Sequence, residues 1–225
     1  MTTETTKVVI GDCTLYLGDC REVINFLEFH TIDSLVTDPP YGMEYQSAWR
    51  TDKHEKISGD NGLELLQMAC DITPQHSSYV FCRWDNLRDV RVPKSVITWV
   101  KNNWTSGDLE HSHARQTELI LFYQGEKHIW PVYRPPDVVD RRKATSDQHP
   151  TEKPVDLMMQ IVERTKGTVF DPFMGSGTTG VACAKLGRKF AGVEINQKYF
   201  DLACRRIEEA YRQPNMFNQL LEVTE

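Results

Sequence analysis

The chain has 225 residues, an apolar fraction of 40% and a net charge of −6. That length and apolar content suit one domain, 1–225, with a sizeable core, and no apolar run is long enough to span a bilayer. The acidic balance argues against DNA binding driven by the field of the whole protein, although a local basic face remains compatible with it.

Met1 to Thr6 is polar and lacks an apolar signal core, so a cytoplasmic location is expected. Six cysteines, Cys13, Cys20, Cys70, Cys82, Cys183 and Cys204, include no Cys-x-x-Cys pair. They read as buried free thiols in a reducing compartment, and no zinc site is expected. His111 and His113 have metal-like spacing, but two histidines so spaced are not by themselves a ligand set, so no metal is assigned.

In chain order, Val8 to Ile10 and Thr14 to Leu17 read as a hairpin around Gly11-Asp12. Arg21 to Phe29 carries helical spacing of apolar residues. Ser34 to Thr37 is a short buried strand that ends at Asp38-Pro39-Pro40-Tyr41. Residues 42–62 are polar and without period, which reads as a long mobile substrate loop. Leu63 to Asp71 reads as a helix, and Ser78 to Cys82, Ser95 to Val100 and Glu118 to Tyr123 as strands. Residues 125–148 read as irregular, broken by Pro131, Pro135 and Pro136. The last third alternates helix (Pro154 to Thr165), strand (Thr168 to Phe170), helix (Thr178 to Leu186), strand (Lys189 to Ile195) and helix (Tyr199 to Tyr211). That rhythm predicts an α/β fold: a doubly wound, mostly parallel sheet with covering helices.

Two motifs carry chemistry. The first is Asp38-Pro39-Pro40-Tyr41. A carboxylate and a backbone carbonyl held rigidly by two prolines can accept both N–H bonds of an exocyclic amine, and a tyrosine can stack on the attached ring. The second is Asp171-Pro172-Phe173-Met174-Gly175-Ser176-Gly177-Thr178-Thr179-Gly180, a strand end followed by glycines and a helix. Gly175 and Gly177 let the backbone turn tightly against a ligand. Glu194 ends the next strand about twenty residues on, where an acid can grip ribose hydroxyls. A triphosphate loop would need Lys after the last glycine, and Thr179-Gly180 stands there instead.

The two motifs together resemble those of the β-group DNA amino-methyltransferases, which move a methyl group from S-adenosylmethionine (AdoMet) to a base nitrogen. The similarity runs from Leu15 to about Glu209. Its order, target motif before cofactor motif, is the circularly permuted one of that group. It implies the methyltransferase fold with one antiparallel strand, AdoMet as cofactor and double-stranded DNA as partner.

Carried over by resemblance, Asp38, Pro39, Pro40 and Tyr41 form the catalytic turn. Asp171, Phe173, Gly175, Ser176, Gly177, Thr178, Glu194 and Ile195 line the cofactor site with Asp38. Thr151 and Lys153, in His149-Pro150-Thr151-Glu152-Lys153-Pro154, lie near the methionine part of AdoMet. Asp19 accepts from the adenine amino group of the cofactor and Cys20 offers its backbone. Gly11-Asp12-Cys13 is a near-copy of that segment, and Asp12 reads as a turn aspartate.

Asp at the first position of the four-residue motif is typical of adenine N6 enzymes in the family, and cytosine N4 is the near alternative. The base must leave the stack to be reached. Tyr45, Trp49 and Arg50 are candidates to contact the displaced strand, and residues 125–148 form a short target-recognition segment. Arg134, Arg141, Arg142 and Lys143 are the candidate DNA contacts. Arg83, Arg88, Arg91 and Lys94 form a second basic stretch. A homodimer, a partner nuclease, an RNA or protein acceptor, and a non-catalytic AdoMet- or DNA-binding module remain open readings.

Overall fold

The computed structural model describes residues 5–27, 32–41, 62–101, 113, 116–130, 133–141 and 152–213. The expectations for residues 42–61, and those for Arg50, His111, Arg142, Lys143 and Thr151, lie outside these.

Among the described residues, nine strands form one sheet: β1 (Thr6–Ile10), β2 (Cys13–Leu17), β3 (Ser34–Thr37), β4 (Ser77–Cys82), β5 (Ser95–Val100), β6 (Thr117–Gln124), β7 (Val138–Asp140), β8 (Val169–Asp171) and β9 (Phe190–Glu194). Their order across the sheet is β1-β2-β9-β8-β3-β4-β6-β5-β7. The pairs β2–β9, β9–β8, β8–β3, β3–β4 and β5–β7 are parallel. β6 runs against both its neighbours, as the resemblance implies. β1 is the antiparallel arm of the N-terminal hairpin.

Side chains alternate between two apolar layers, as the two-residue period of a strand requires. Tyr79 and Phe81 of β4 point to one layer, and Val80 and Cys82 to the other. The first layer is covered by α3 (Val155–Val162), α4 (Thr178–Lys185) and α5 (Gln197–Arg212), the second by α1 (Cys20–Phe26) and α2 (Glu64–Asp71). This is the doubly wound arrangement. All four residues of β3 and all six of β4 are buried, which explains why both read as apolar runs rather than alternating strands. In α5, Phe200, Ala203, Ile207 and Ala210 repeat at helical spacing on the buried face, and Asn196 caps the start by accepting from Lys198 N at 2.9 Å.

Two elements depart from the sequence reading. Residues 125–148 contain a strand, β7, on the sheet edge, where Thr98 N donates to Asp137 O and Arg141 N to Val100 O. Three residues between prolines are too few to show a period. A 3₁₀ helix, Trp84–Asp89, follows β4. Five of the cysteines are buried and Cys204 is half-buried, and all six are free thiols. Among the described residues, no helix is long and apolar enough to cross a membrane.

Strand order places the site. From β3 the chain crosses to β4 on one side, whereas from β8 it crosses to β9 on the other. The reversal lies between β3 and β8, and a crevice opens there at the carboxyl ends of the strands. Asp38 leaves β3 and Pro172 leaves β8 at that point.

Candidate active site

Thr37 and Asp171 end the two central strands, and both are buried. Thr37 Oγ1 donates to Asp171 Oδ1 at 2.6 Å, Thr179 Oγ1 to Asp171 Oδ2 at 2.6 Å, and Phe173 N to Asp171 Oδ1 at 3.1 Å. Both carboxylate oxygens are therefore engaged within the protein. Asp171 fastens the glycine turn to β3. Burial pushes its carboxyl up to about 6, partly offset by the two hydroxyl donors and the Phe173 amide.

Gly175 and Gly177 hold φ of 52° and 82°, conformations that L side chains rarely adopt. A Cβ on Gly177 would lie 2.7 Å from Ala203 Cβ and 2.9 Å from Ala203 Cα, so the turn also needs glycine for α5 to pack. Ser176 and Thr178 are buried, and their hydroxyls face Arg206 Nη1 at 2.7 and 3.4 Å. Arg206 Nη1 also donates to Ser176 O at 2.8 Å, and Arg206 pairs with Glu152. These two side chains brace the turn from behind.

Glu194 ends β9 with its carboxylate partly buried, which raises its pKa against the pull of the Asn196, Gly175 and Ile195 amides. Asn196 N donates to Glu194 Oε1 at 2.7 Å. Ile195 beside it is half exposed. Leu17 of β2 registers with Glu194, and Gly18 N donates to Glu194 O at 2.9 Å, so Asp19 and Cys20 stand at the same edge. Asp12 lies at the opposite end, where its carbonyl accepts from Phe190 N. The Asp19 carboxylate caps α1 through Arg21 N at 2.9 Å and pairs with the Arg21 side chain, which holds its pKa down. Cys20 is buried. A carboxylate for a diol, an apolar face at Ile195 and half-buried Phe173, and the partly exposed backbone of Gly175 suit a nucleoside-like cofactor.

At the first motif, Tyr41 Oη donates to Asp38 Oδ1, and Asn86 Nδ2 of the 3₁₀ helix donates to Tyr41 O at 3.3 Å. Lys153 Nζ meets Asp38 Oδ2 at 2.6 Å and faces Glu118 Oε2 at 3.3 Å. Lys153, which the resemblance puts near the methionine part of the cofactor, thus also touches the target motif. Lys101 Nζ meets Glu118 Oε1 at 2.8 Å.

The family model of the N6/N4 DNA methylases matches residues 32–205. The chain belongs to this family. Among its relatives, the DNA adenine methyltransferase YhdJ of Escherichia coli is 42% identical, with 88% of this chain and 83% of that protein covered. The type II methyltransferase M2.MboI of Moraxella bovis is 26% identical, with 87% of each covered. The solved complex of M1.HpyAVI with SAM has a TM-score of 0.66 at 27% identity, covering 86% of this chain and 99% of that one. PvuII DNA methyltransferase, cytosine-N4-specific, shares the fold with a TM-score of 0.65 at 15% identity, over 95% of this chain and 94% of that one.

The basic candidates of this N6/N4 methylase divide. Arg141 follows β7, which is parallel to β5, and so reaches the same edge as Asp38; its Nε lies 3.4 Å from Asp156 Oδ2. Arg134 is exposed, but nearby Pro136 O accepts from Arg164 beyond the far end of α3. That places Arg134 toward the opposite edge. Arg83 pairs with Asp85, and Arg91 donates to Cys70 O at 2.8 Å while stacking on Tyr123.

Sequence reasoning missed Glu118, Lys101, Asn86 and Arg206 as members of the site. Only Glu118 left a trace, as a carboxylate at the start of the apolar strand β6.

Proposed function

We propose that this DNA methylase transfers the methyl group of AdoMet to the exocyclic N6 of adenine in a short site of duplex DNA. The observation that carries the reading is Asp38 at the head of a rigid Pro-Pro turn, one strand away from the glycine turn. The 42% identity with a DNA adenine methyltransferase supports the choice of base.

Bound AdoMet supplies an electrophilic methyl group on a sulfonium, so positioning rather than strong base catalysis carries the reaction. The adenine amine is a weak nucleophile because its lone pair is delocalised into the ring. Asp38 and the Pro39 carbonyl accept its two N–H bonds, which favours a pyramidal nitrogen with its lone pair directed outward. Pro39 and Pro40 hold both acceptors in place. The Tyr41 ring offers a stacking face for the base. After transfer the cationic nitrogen sheds a proton through Asp38 to water.

Glu194 is assigned to the ribose hydroxyls and Ile195 to the adenine face of AdoMet. Asp19 and Cys20 stand beside them, and Phe173, Gly175, Ser176, Gly177 and Thr178 form the backing turn. Thr151 is assigned to the methionine end. Arg141, with Arg50, Arg142 and Lys143, is assigned to DNA backbone or base contacts.

The test is methyl transfer from labelled AdoMet to unmethylated duplex DNA, followed by digestion to nucleosides and mass spectrometry. N6-methyladenine is expected. N4-methylcytosine would overturn the base, because both acceptors are conjugated exocyclic amines that the same turn can hold.

A further inference from the structure

Four charged side chains from four separate elements form one chain of alternating sign. Asp38 follows β3, Lys153 precedes α3, Glu118 lies in β6 and Lys101 follows β5. The contacts are 2.6 Å from Asp38 to Lys153, 3.3 Å from Lys153 to Glu118 and 2.8 Å from Glu118 to Lys101. Lys153 and Lys101 are both buried. The Phe81 ring lies 5.0 Å from Lys153 Nζ, and the Trp99 ring 5.7 Å from Lys101 Nζ.

Such an array is a poor choice for stability alone. Removing charges from water costs more than their attraction returns unless the geometry is good, and apolar packing serves as well. What it provides is a defined direction. The ammonium holds Oδ2 of Asp38, and Tyr41 takes one lone pair of Oδ1. A carboxylate oxygen accepts more than one hydrogen bond, so Oδ1 keeps capacity for a further N–H. The orientation of that oxygen then depends on where Lys153 sits, and Lys153 sits between two carboxylates.

We propose that Glu118 is a positioning residue for methyl transfer: it anchors the Lys153 ammonium from the side away from Asp38, so that Lys153 fixes the Asp38 carboxylate in its amine-accepting orientation. Lys101 balances the second carboxylate. The proposal rests on the reading of Asp38 as the amine acceptor. The groups that face the Lys153 ammonium are Asp38 and Tyr41 from the target turn and Glu118 from β6. Lys101 stands behind Glu118, and the Cys82 thiol near Tyr41. Both carboxylates hold the Lys153 pKa well above that of an ordinary lysine, and Glu118 is in turn drawn down to about 2.

The test is Glu118→Gln, which keeps shape and removes charge, assayed with the full chain. A loss in kcat of about ten-fold or more is expected, since removing one partner of a buried ion pair leaves the other charge uncompensated. The AdoMet Kd by calorimetry is expected to stay within about two-fold of wild type. The alkaline limb of kcat is expected to move to lower pH, because the ammonium has lost one carboxylate. In a Lys153→Met background, Glu118→Gln should cause no further loss of kcat. Additive losses in that cycle, or wild-type kcat in a folded Glu118→Gln protein, would overturn the proposal.

Should Glu118→Gln not fold, Glu118→Asp decides. Its charge should preserve the alkaline limb while kcat falls, and an unchanged kcat would count against positioning. Titration of the Lys153 ammonium by nitrogen NMR, without cofactor or DNA, tests the Glu118–Lys153 contact apart from turnover. A pKa lowered in Glu118→Gln supports the contact even if wild type proves to methylate cytosine, and an unchanged pKa overturns it. Wild-type protein that methylates no DNA base would sink the acceptor reading and leave this titration to stand by itself.

Discussion

The glycine turn and the target turn meet at one edge of the sheet, but they are held differently. Around Asp171 the bonds are neutral donors to a buried carboxylate, and two of the three span eight residues or fewer. Around Asp38 the fastening is ionic, and its main contact, with Lys153, spans 115 residues. A turn whose bonds are mostly local hydroxyl and amide contacts draws chiefly on β8 and α4, with Thr37 and α5 completing it. A turn oriented by distant charges takes its shape only when β3, β5, β6 and the approach to α3 are all in place. The cofactor half is therefore set by local chain geometry, and the target half by the assembled fold.

Substitutions can break this comparison at graded cost. The largest effect is expected for Asp38→Ala, which should reduce methyl transfer by at least about a thousand-fold, on the scale of losing a preorganised acceptor. AdoMet binding, measured by calorimetry, should largely survive. Full activity in that variant would remove the mechanism. Next is Gly177→Ala, which combines a left-handed backbone with a contact against Ala203. A stability loss of about 2–4 kcal/mol is expected in denaturant titration, together with weakened AdoMet binding. Glu194→Ala should weaken AdoMet binding by about ten-fold without unfolding the chain, as expected for one lost carboxylate contact. Unchanged affinity would remove the ribose assignment.

The remaining effects concern pH, and here the halves should have opposite signs. Glu118 is lowered from 4.5 to about 2, so its contribution to stability is present above pH 4.5 and is lost as pH falls toward 2. Asp171 is raised from 3.8 to about 6, so its contribution is present below pH 3.8 and is lost as pH rises through 6. Each amounts to at most about 3 kcal/mol. Melting curves across pH 3 to 7 should show Glu118→Gln flattening the acid side and Asp171→Asn flattening the fall toward pH 6. The same slope change in both variants would contradict the contrast.

The difference in fastening also explains what the sequence disclosed. The glycine motif, its acid at Glu194 and the strand–helix rhythm after Pro154 are local patterns, and their elements appear within a few residues of where periodicity puts them. Asp38 to Tyr41 is legible because prolines mark it. Glu118 and Lys101 were invisible as site residues, since an ion pair across the sheet leaves no spacing to read. The structural role of Asp171 was hidden for a related reason. A motif shows that an aspartate is present, but only the fold shows that Thr37 and Thr179 already occupy its oxygens. β7 is too short to show alternation, and Arg134 and Arg141, seven residues apart in a basic stretch, turn out to face different ends of the sheet.

The bond from Thr37 to Asp171 has a further meaning. It clamps two neighbouring strands whose separation the backbone ladder fixes at about 4.8 Å. Donor and acceptor platforms thus share a ruler that no surface segment can lengthen or shorten. Segments that read sequence can be exchanged, extended or trimmed around this ruler while the gap that the methyl group must cross stays the same. A lineage of such proteins can diversify what it recognises without retuning what it does.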